Sequence, residues 1–238
     1  ASNFNKPIGG WVTSSVLDMS SMFNGATAFK QNLNMWTLKN TSVIVTNMFQ
    51  GASNAGYLAT PSKDNLKLGH TFTDDDPSDA DLSGAITEWI LNSSTATVKY
   101  GHINTWDVSQ VTNMSELFKD KSGFNDDIGW WDVNNVLDMT SMFNRATAFN
   151  QDIGGWDTSN VTDMSYMFYR ASNFNQHIGD WVTTSVLDMT GMFWDASNFN
   201  QDIGGWVTTS VLYMTGMFYR ASNFNQDIGG WDTSSVLD

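Results

Sequence analysis

The sequence contains no cysteine and little charge, and these two shortages exclude several kinds of protein. Without cysteine there can be no disulfide, no thiolate metal site and no cysteine nucleophile. Charged residues make up 15% of the chain, against about a quarter in typical soluble domains. The sequence also has no apolar run of about 18 residues, the length at which a segment becomes a candidate membrane-spanning helix.

Basic residues are scarce as well, because 11 Lys and Arg stand against 25 Asp and Glu, for a formal net charge of -14. A nucleic-acid interface needs clustered Lys and Arg to neutralise phosphates, and scattered cations do not supply such a cluster. We therefore exclude nucleic acid as a partner and predict no membrane span. An acidic, polar surface favours an extracellular or cell-surface location.

Tryptophan and methionine, in contrast, are abundant, with 11 and 13 residues. Six of the tryptophans follow one another at intervals of 25 residues, and Trp11 and Trp36 share that interval. The six are Trp106, Trp131, Trp156, Trp181, Trp206 and Trp231. A fixed period of this length is the signature of a repeat architecture.

The unit 156–180 shows the pattern within one repeat. Its apolar residues recur in the neighbouring units, and they are Val161, Met164, Met167, Phe168, Ala171, Phe174 and Ile178. Their spacing follows neither the 3.6-residue period of a helix nor the 2-residue period of a strand. One unit cannot enclose these side chains, so units must stack with like residues in columns. We predict a repeat solenoid with one short parallel strand per 25-residue coil, joined by turns and short helical corners.

Two polar features recur at the predicted corners of each coil. Glycine pairs such as Gly154 and Gly155 precede the tryptophan in several units, where a positive φ or a close approach between coils favours glycine. An asparagine follows the second phenylalanine of the unit, as Asn150, Asn175, Asn200 and Asn225 show. We expect this asparagine column to satisfy backbone groups in the turns and to have a structural role.

The array is interrupted, because 70 residues separate Trp36 from Trp106. We assign residues 1–58 to the end of a first array, 59–82 to an acidic spacer that contains Pro and Gly, 83–105 to a helical cap and 106–238 to a second array. In the cap, Ile86, Trp89 and Ile90 would share one face of a short amphipathic helix that covers the end of the second core. Both chain ends lie within a repeat, so we interpret the chain as part of a longer protein.

The repeat itself resembles a known family at the pattern Trp-Asp-x-Ser-x-Val-x-Asp-Met-Ser-x-Met-Phe-x-x-Ala-x-x-Phe-Asn-Gln-x-Ile. This pattern is similar to the BspA-like surface-protein repeats of 25 residues, also called DUF285 or mycoplasma-lipoprotein-type repeats. The resemblance covers residues 1–58 and 103–238. It implies a right-handed, leucine-rich-repeat-like solenoid on a secreted or cell-surface protein with a role in adhesion or protein binding. It implies no catalytic residue.

Catalysis and calcium binding are the alternatives to a purely structural interpretation of the polar residues. The chain has three histidines, and His177 stands where other units have Asp152, Asp202 and Asp227. We therefore expect no enzyme, with a carbohydrate-active enzyme as the weakest alternative. Stacked aspartates repel one another unless a cation screens them, so structural calcium is a second alternative. Because other residues interrupt the aspartate columns, we expect no cofactor.

The positions that vary between otherwise constant units are the candidate binding residues. Tyr169, Trp194 and Tyr219 occupy one such column, and Arg170 and Arg220 occupy the next. If the aromatic column faces solvent, it forms a stripe suited to a protein partner or to sugar rings. The alternative is that these rings pack over a neighbouring coil.

The sequence supports two main hypotheses about function. The first is an extracellular, non-catalytic scaffold that mediates protein binding or adhesion, with surface glycans as a further partner class. The second is a structural subunit of an extracellular filament or surface layer, in which the partner is another copy of the chain. Four sequons would accept glycans if the chain entered a eukaryotic secretory route. They lie at Asn40, Asn92, Asn113 and Asn160.

Overall fold

A computed structural model describes residues 3–4, 15–28, 48, 71–73 and 81–238. The chain divides into two compact parts, Ala1–Gly69 and His70–Asp238. In the described residues of the first part, Phe23 is buried and its amide donates to the carbonyl oxygen of Met48 at 2.8 Å. Most of the predicted first array and of the predicted spacer lies outside the described residues. Within the described residues, no helix has the length and apolar character needed to cross a membrane.

The second part begins with the regular secondary structure of the described chain. Strand β1 is Thr71–Thr73, and helices α1 and α2 are Leu82–Leu91 and Ser93–Tyr100. A short 3-10 helix, Ile103–Thr105, leads into strand β2, Asp107–Gln110, which pairs with β1 in parallel. Both helices begin at side-chain caps. Asp81 accepts from the amide of Gly84 at 2.6 Å, and Asn92 accepts from that of Thr95 at 3.2 Å.

This region differs in detail from the sequence-based expectation. The sequence predicted one helix, whereas the structure has two, and β1 lies inside the stretch predicted as spacer. In α1, Ile86 and Trp89 are buried as predicted, but Ile90 is 42% exposed. Leu82 and Ala85 complete the buried face instead, because they lie one turn earlier on the same side of the helix.

The helices contact the first tryptophan of the array. The ring centroids of Trp89 and Tyr100 lie 6.0 Å and 5.8 Å from that of Trp106, and both contacts are edge-on. Phe72 of β1 approaches the same ring to 5.0 Å. The aromatic side chains of β1, α1 and α2 therefore cover Trp106, which is buried.

From residue 111 onward, successive units are joined by parallel backbone hydrogen bonds. In the unit 131–155, the amides of Met139, Ser141, Phe143 and Arg145 donate to carbonyl oxygens of the following unit at 2.7–3.0 Å. One residue per unit forms a parallel bridge with its counterpart, as Asp138 does with Asp163. The strand expected in each coil is thus reduced to a single bridging residue within a run of turns.

Like residues of successive units stack, as the period indicates. The indoles of Trp181 and Trp206 lie 6.4 Å apart with an angle of 1° between their planes, and Phe168 and Phe193 lie 5.7 Å apart at 6°. Within a unit, Phe168 also stacks on Phe174 at 3.9 Å. From Trp131 to Trp231, each indole of the 25-residue series donates to the carbonyl oxygen of the isoleucine 28 residues earlier, as Trp206 does to Ile178 at 3.0 Å. The large rings are thus buried without leaving a donor unpaired.

In the glycine pair at the corner, the first residue has no room for a side chain and the second one does. A Cβ on Gly154 would lie 2.5 Å from the carbonyl oxygen of His177 in the next unit, whereas a Cβ on Gly155 would meet nothing within 4 Å. Neither glycine has a positive φ. Close approach between units therefore requires the first glycine, and the sequence-based suggestion of a positive φ does not apply here.

The asparagine column has the structural role expected from the sequence. Asn150 accepts from the amide of Asn175 at 2.9 Å, and Asn175 accepts from that of Asn200 at the same distance. Gln176 donates to the carbonyl oxygen of Asn150 at 2.9 Å. These side chains join adjacent units along the surface, in parallel with the backbone bonds.

Candidate functional site: an edge of arginine and aromatic residues

The candidate site lies on turns that force the backbone into the left-handed region twice per unit. The first position holds Glu116, Ser141, Tyr166, Gly191 and Gly216, with φ between 54° and 64°. The second holds Asp120, Arg145, Arg170, Asp195 and Arg220, with φ between 56° and 60°. Gly25 occupies the equivalent of the second position in the first part of the chain, at φ 69°. A residue other than glycine costs roughly 1–2 kcal/mol in this conformation.

The predicted aromatic stripe is continuous in the structure. The ring centroid of Trp194 lies 6.0 Å from that of Tyr169 and 4.4 Å from that of Tyr219. Tyr169 and Trp194 are half-buried, and Tyr219 is 47% exposed. The rings therefore pack against rings of the neighbouring units, and they also reach solvent.

Two glycines provide the space on which rings of this stripe lie. A Cβ on Gly191 would lie 2.5 Å from the ring of Tyr166, and one on Gly216 would lie 2.8 Å from the indole of Trp194. Tyr166, which sequence reasoning missed, is 36% exposed and lies 6.0 Å from Tyr169. The sequence contains a signal for Tyr166, because the next unit has a glycine, Gly191, at the same position of the repeat.

The arginines flank the rings. The guanidinium of Arg170 lies 5.1 Å from the ring centroid of Tyr169, and that of Arg220 lies 5.1 Å from the ring centroid of Tyr219. Arg170 also pairs with Asp195 at 3.2 Å. Within the described part of the chain, Arg220 has no carboxylate partner. We call this set the Arg/aromatic edge, and it comprises Arg145, Tyr166, Tyr169, Arg170, Trp194, Tyr219 and Arg220.

The aspartate columns, considered above as candidate calcium ligands, have hydrogen-bonding roles in the turns. Asp152 accepts from the amide of Gly154 at 3.0 Å, and Asp163 accepts from that of Ser165 at 2.8 Å. The hydroxyl and then the amide of Ser159 lower the pKa of Asp157 by hydrogen bonding to its carboxylate. Among the described residues there is no group of three or more His, Cys, Asp or Glu side chains that could hold a metal ion.

Two carboxylates line an open cavity of about 320 Å³ beside Trp130. They belong to Asp127 and Asp152, and each accepts from the amide of the glycine two residues later at 3.0 Å. Asp202 and Asp227 make the same turn contact at 2.9 Å. The pair is therefore a product of the repeat, and the turn in each unit explains its position.

The remaining sequence-based candidates lie apart from the edge. His102 begins the 3-10 helix, and His177 lies 3.1 Å from Asp180. Three of the sequon asparagines, Asn92, Asn113 and Asn160, are exposed. Asn92 caps α2, Asn113 bonds to the amide of Ser115, and Asn160 donates to the carbonyl oxygen of residue 134. Asn40 and His70 lie outside the described residues.

Comparison with known proteins identifies the family without a function. No curated protein and no solved structure matches the chain. A family model described as "Mycoplasma protein of unknown function, DUF285" matches residues 1–59, 87–195 and 153–238. These ranges include every stacked unit from residue 111 onward, and together they cover most of the sequence. The chain therefore belongs to the DUF285 family.

Proposed function

We propose that this chain is an extracellular, non-catalytic scaffold of the BspA-like type that binds a protein partner through the Arg/aromatic edge. In this proposal the stacked units form a leucine-rich-repeat-like solenoid, and the solenoid holds the edge rigid. The main support is the composition of the edge. Tyrosine, tryptophan and arginine are the residues most enriched among those that dominate binding energy at protein interfaces.

The geometry of the edge also suits binding, because its rings are held in place before a partner arrives. Tyr166 and Trp194 lie on glycines of the next unit, and Trp194 packs against Tyr219 at 4.4 Å. Ordering a long side chain on binding costs about 0.5–1.5 kcal/mol. Rings that are already packed avoid most of that cost and still expose part of their surface.

The acidic residues support a non-catalytic scaffold. The carboxylates of Asp127 and Asp152 each satisfy a turn amide, and the same turn recurs at Asp202 and Asp227. A catalytic pair would need an environment that distinguishes its two members from the other units. The repeat provides the same turn contact to each of these four carboxylates.

The test replaces the three predicted aromatic residues with asparagine, which is the residue at the same position of another unit, Asn144. The variant Tyr169→Asn, Trp194→Asn, Tyr219→Asn should keep the fold, because these rings lie outside the interior columns. Particles coated with the wild-type chain, or with the variant, are applied to immobilised secreted proteins and to cell surfaces. We expect the wild type to be retained on a protein target and the variant to be lost from it.

A matched control changes another exposed column to a residue that the column already contains. Leu137→Thr and Leu187→Thr introduce the residue found at Thr162 in a column that is also exposed, and this double variant should bind as the wild type does. Equal retention of all three proteins would contradict the proposal. Sedimentation of the same proteins tests the filament alternative. If the wild type polymerises and the aromatic variant stays monomeric, the edge mediates self-assembly, and the adhesion proposal is wrong.

A further inference from the structure

We infer that the Arg/aromatic edge recognises an acidic polypeptide segment, whose carboxylates pair with Arg145, Arg170 and Arg220. This inference rests on the proposed function and adds the chemical class of the partner. It depends on three observations: the backbone conformation of the arginines, their distribution in the sequence and the state of the ring faces beside them.

The arginines occupy a position where the backbone favours glycine. Arg145, Arg170 and Arg220 have φ of 59°, 56° and 57°, and Gly25 has the same left-handed conformation at the equivalent place. Glycine adopts this conformation without steric cost, so the backbone conformation itself does not require arginine. The same position also holds Asp120 and Asp195, which pair with Arg145 and Arg170 at 3.3 Å and 3.2 Å. Strained residues that persist where an unstrained one is available point to a function.

The distribution of charge separates these arginines from the rest of the molecule. They are all the arginines of the sequence, and beyond Lys121 there is no lysine, whereas aspartates continue throughout. At physiological salt the Debye length is about 8 Å, so a ligand at the edge is influenced mainly by the charges beside it. Those nearby charges include the three guanidiniums and the carboxylates of Asp120 and Asp195, with the pair Lys119–Glu116 in the same turn as Asp120.

The ring faces favour a carboxylate ligand over a sugar ring. Guanidiniums cover Tyr169 and Tyr219 at 5.1 Å, and Trp194 packs against both of these rings. A sugar would need an open ring face for stacking, whereas a carboxylate needs the N–H fork of an arginine. That fork binds a carboxylate through two parallel hydrogen bonds. The side chain of Arg170 is 47% exposed in its pair with Asp195, so an incoming carboxylate can reach its guanidinium.

The experiment measures fluorescence anisotropy of a labelled oligo-aspartate peptide at physiological ionic strength. The test variant is Arg145→Gly, Arg170→Gly, Arg220→Gly, which places the residue of Gly25 in all three units. We expect wild-type binding to weaken by at least about tenfold, since each charge-assisted hydrogen bond that is lost can account for that factor. The midpoint of thermal unfolding should stay the same or rise, because the strain is relieved.

A second variant at the same backbone position changes binding in the opposite direction. Asp195→Gly has the same left-handed φ, removes a negative charge and frees Arg170 from its pair. We expect it to bind oligo-aspartate several-fold more tightly. Oligo-asparagine is the neutral probe and should not bind to the wild type.

Three outcomes would overturn the inference. The first is no binding of oligo-aspartate to the wild type, and the second is equal binding by the wild type and the triple arginine variant. The third is arginine-dependent binding of a sulfated polysaccharide but not of oligo-aspartate, which would assign the edge to glycans. If any of these occurs while the aromatic-to-asparagine variant still loses retention on a protein target, the proposed function stands and only the acidic partner class is wrong.

Discussion

The interior columns and the Arg/aromatic edge obey opposite rules, although both belong to the same turns. In the interior, Phe143, Phe168 and Phe193 repeat without change and stack at 5.6–5.7 Å with nearly parallel planes. At the edge the backbone repeats equally well, but the residue changes from unit to unit, as Arg170 and Asp195 show at one φ of 56°.

The difference shows which constraint acts on each region. Stacked units need side chains of similar size and shape wherever two units share a buried surface, because interiors are close-packed. At the edge the side chains reach solvent, and the repeated backbone hydrogen bonds accept any residue that tolerates the φ. The edge can therefore change its chemistry while the ladder beneath it is unchanged, which makes it the region where function can vary.

The strongest way to test this contrast is to remove one interior ring. Phe168 is 0% exposed and contacts Phe143, Phe174 and Phe193. Phe168→Ala should lower the free energy of unfolding by about 3–5 kcal/mol through lost burial and the cavity that remains. The measurement is urea unfolding followed by circular dichroism.

The matched edge variant is Tyr219→Asn. Tyr219 is 47% exposed, so its replacement should change the free energy of unfolding by less than about 1 kcal/mol. Similar losses for Phe168→Ala and Tyr219→Asn would mean that the edge is part of the core, and the contrast between the two regions would be wrong.

The corner glycines provide a second test within two adjacent residues. Gly154→Ala places a Cβ 2.5 Å from a backbone oxygen that has little freedom to move, and should cost about 2–3 kcal/mol. Gly155→Ala meets nothing within 4 Å and has no positive φ. It should leave stability unchanged or raise it by about 0.5 kcal/mol, because alanine restricts the unfolded chain. Equal effects of the two substitutions in thermal unfolding would rule out close approach as the reason for glycine.

The sequence predicted the structure best at the positions that repeat most strictly. The period of 25 residues predicted the columns of Trp181 and Phe168, because identical neighbours leave one consistent way of stacking. It did not predict that Ile90 is exposed or that β1 lies before the helices, since that region occurs once and has no second copy for comparison. The aromatic column was visible as variation within one column, whereas Tyr166 is recognised only when it is considered together with Gly191 in the next unit, which leaves space for its ring.

A smaller effect concerns the buried hydroxyl of Thr158. It is 0% exposed and donates to the carbonyl oxygen of Val182 in the next unit at 3.0 Å. The same column holds Val133, so Thr158→Val keeps the shape and tests the hydrogen bond alone. We expect a loss of about 1 kcal/mol in the free energy of unfolding. No loss would mean that the carbonyl is satisfied without the hydroxyl.

The smallest effect is expected at His102, which lies between interior and surface beside Trp89, with ring centroids 4.7 Å apart. Burial lowers the pKa of the imidazole from its ordinary value, while a hydrogen bond to Asn104 and the carboxylates of Asp126 and Asp127 oppose this shift. The unfolded chain therefore binds the proton more readily than the folded chain. Stability from the neutral ring is complete above the unfolded pKa of about 6.5 and is lost as the pH falls towards the lower folded value.

The matched variant is His102→Asn, because asparagine also caps a helix start and does not titrate. In the wild type, the midpoint of thermal unfolding should decline slightly between neutral and mildly acidic pH, and this decline should be smaller in the variant. A decline that is identical in both proteins would place its origin outside His102. The imidazole of His102 would then behave as a surface group. In that case the contact with Trp89 does not bury His102, and the interior at this end would be limited to residues packed on Trp106.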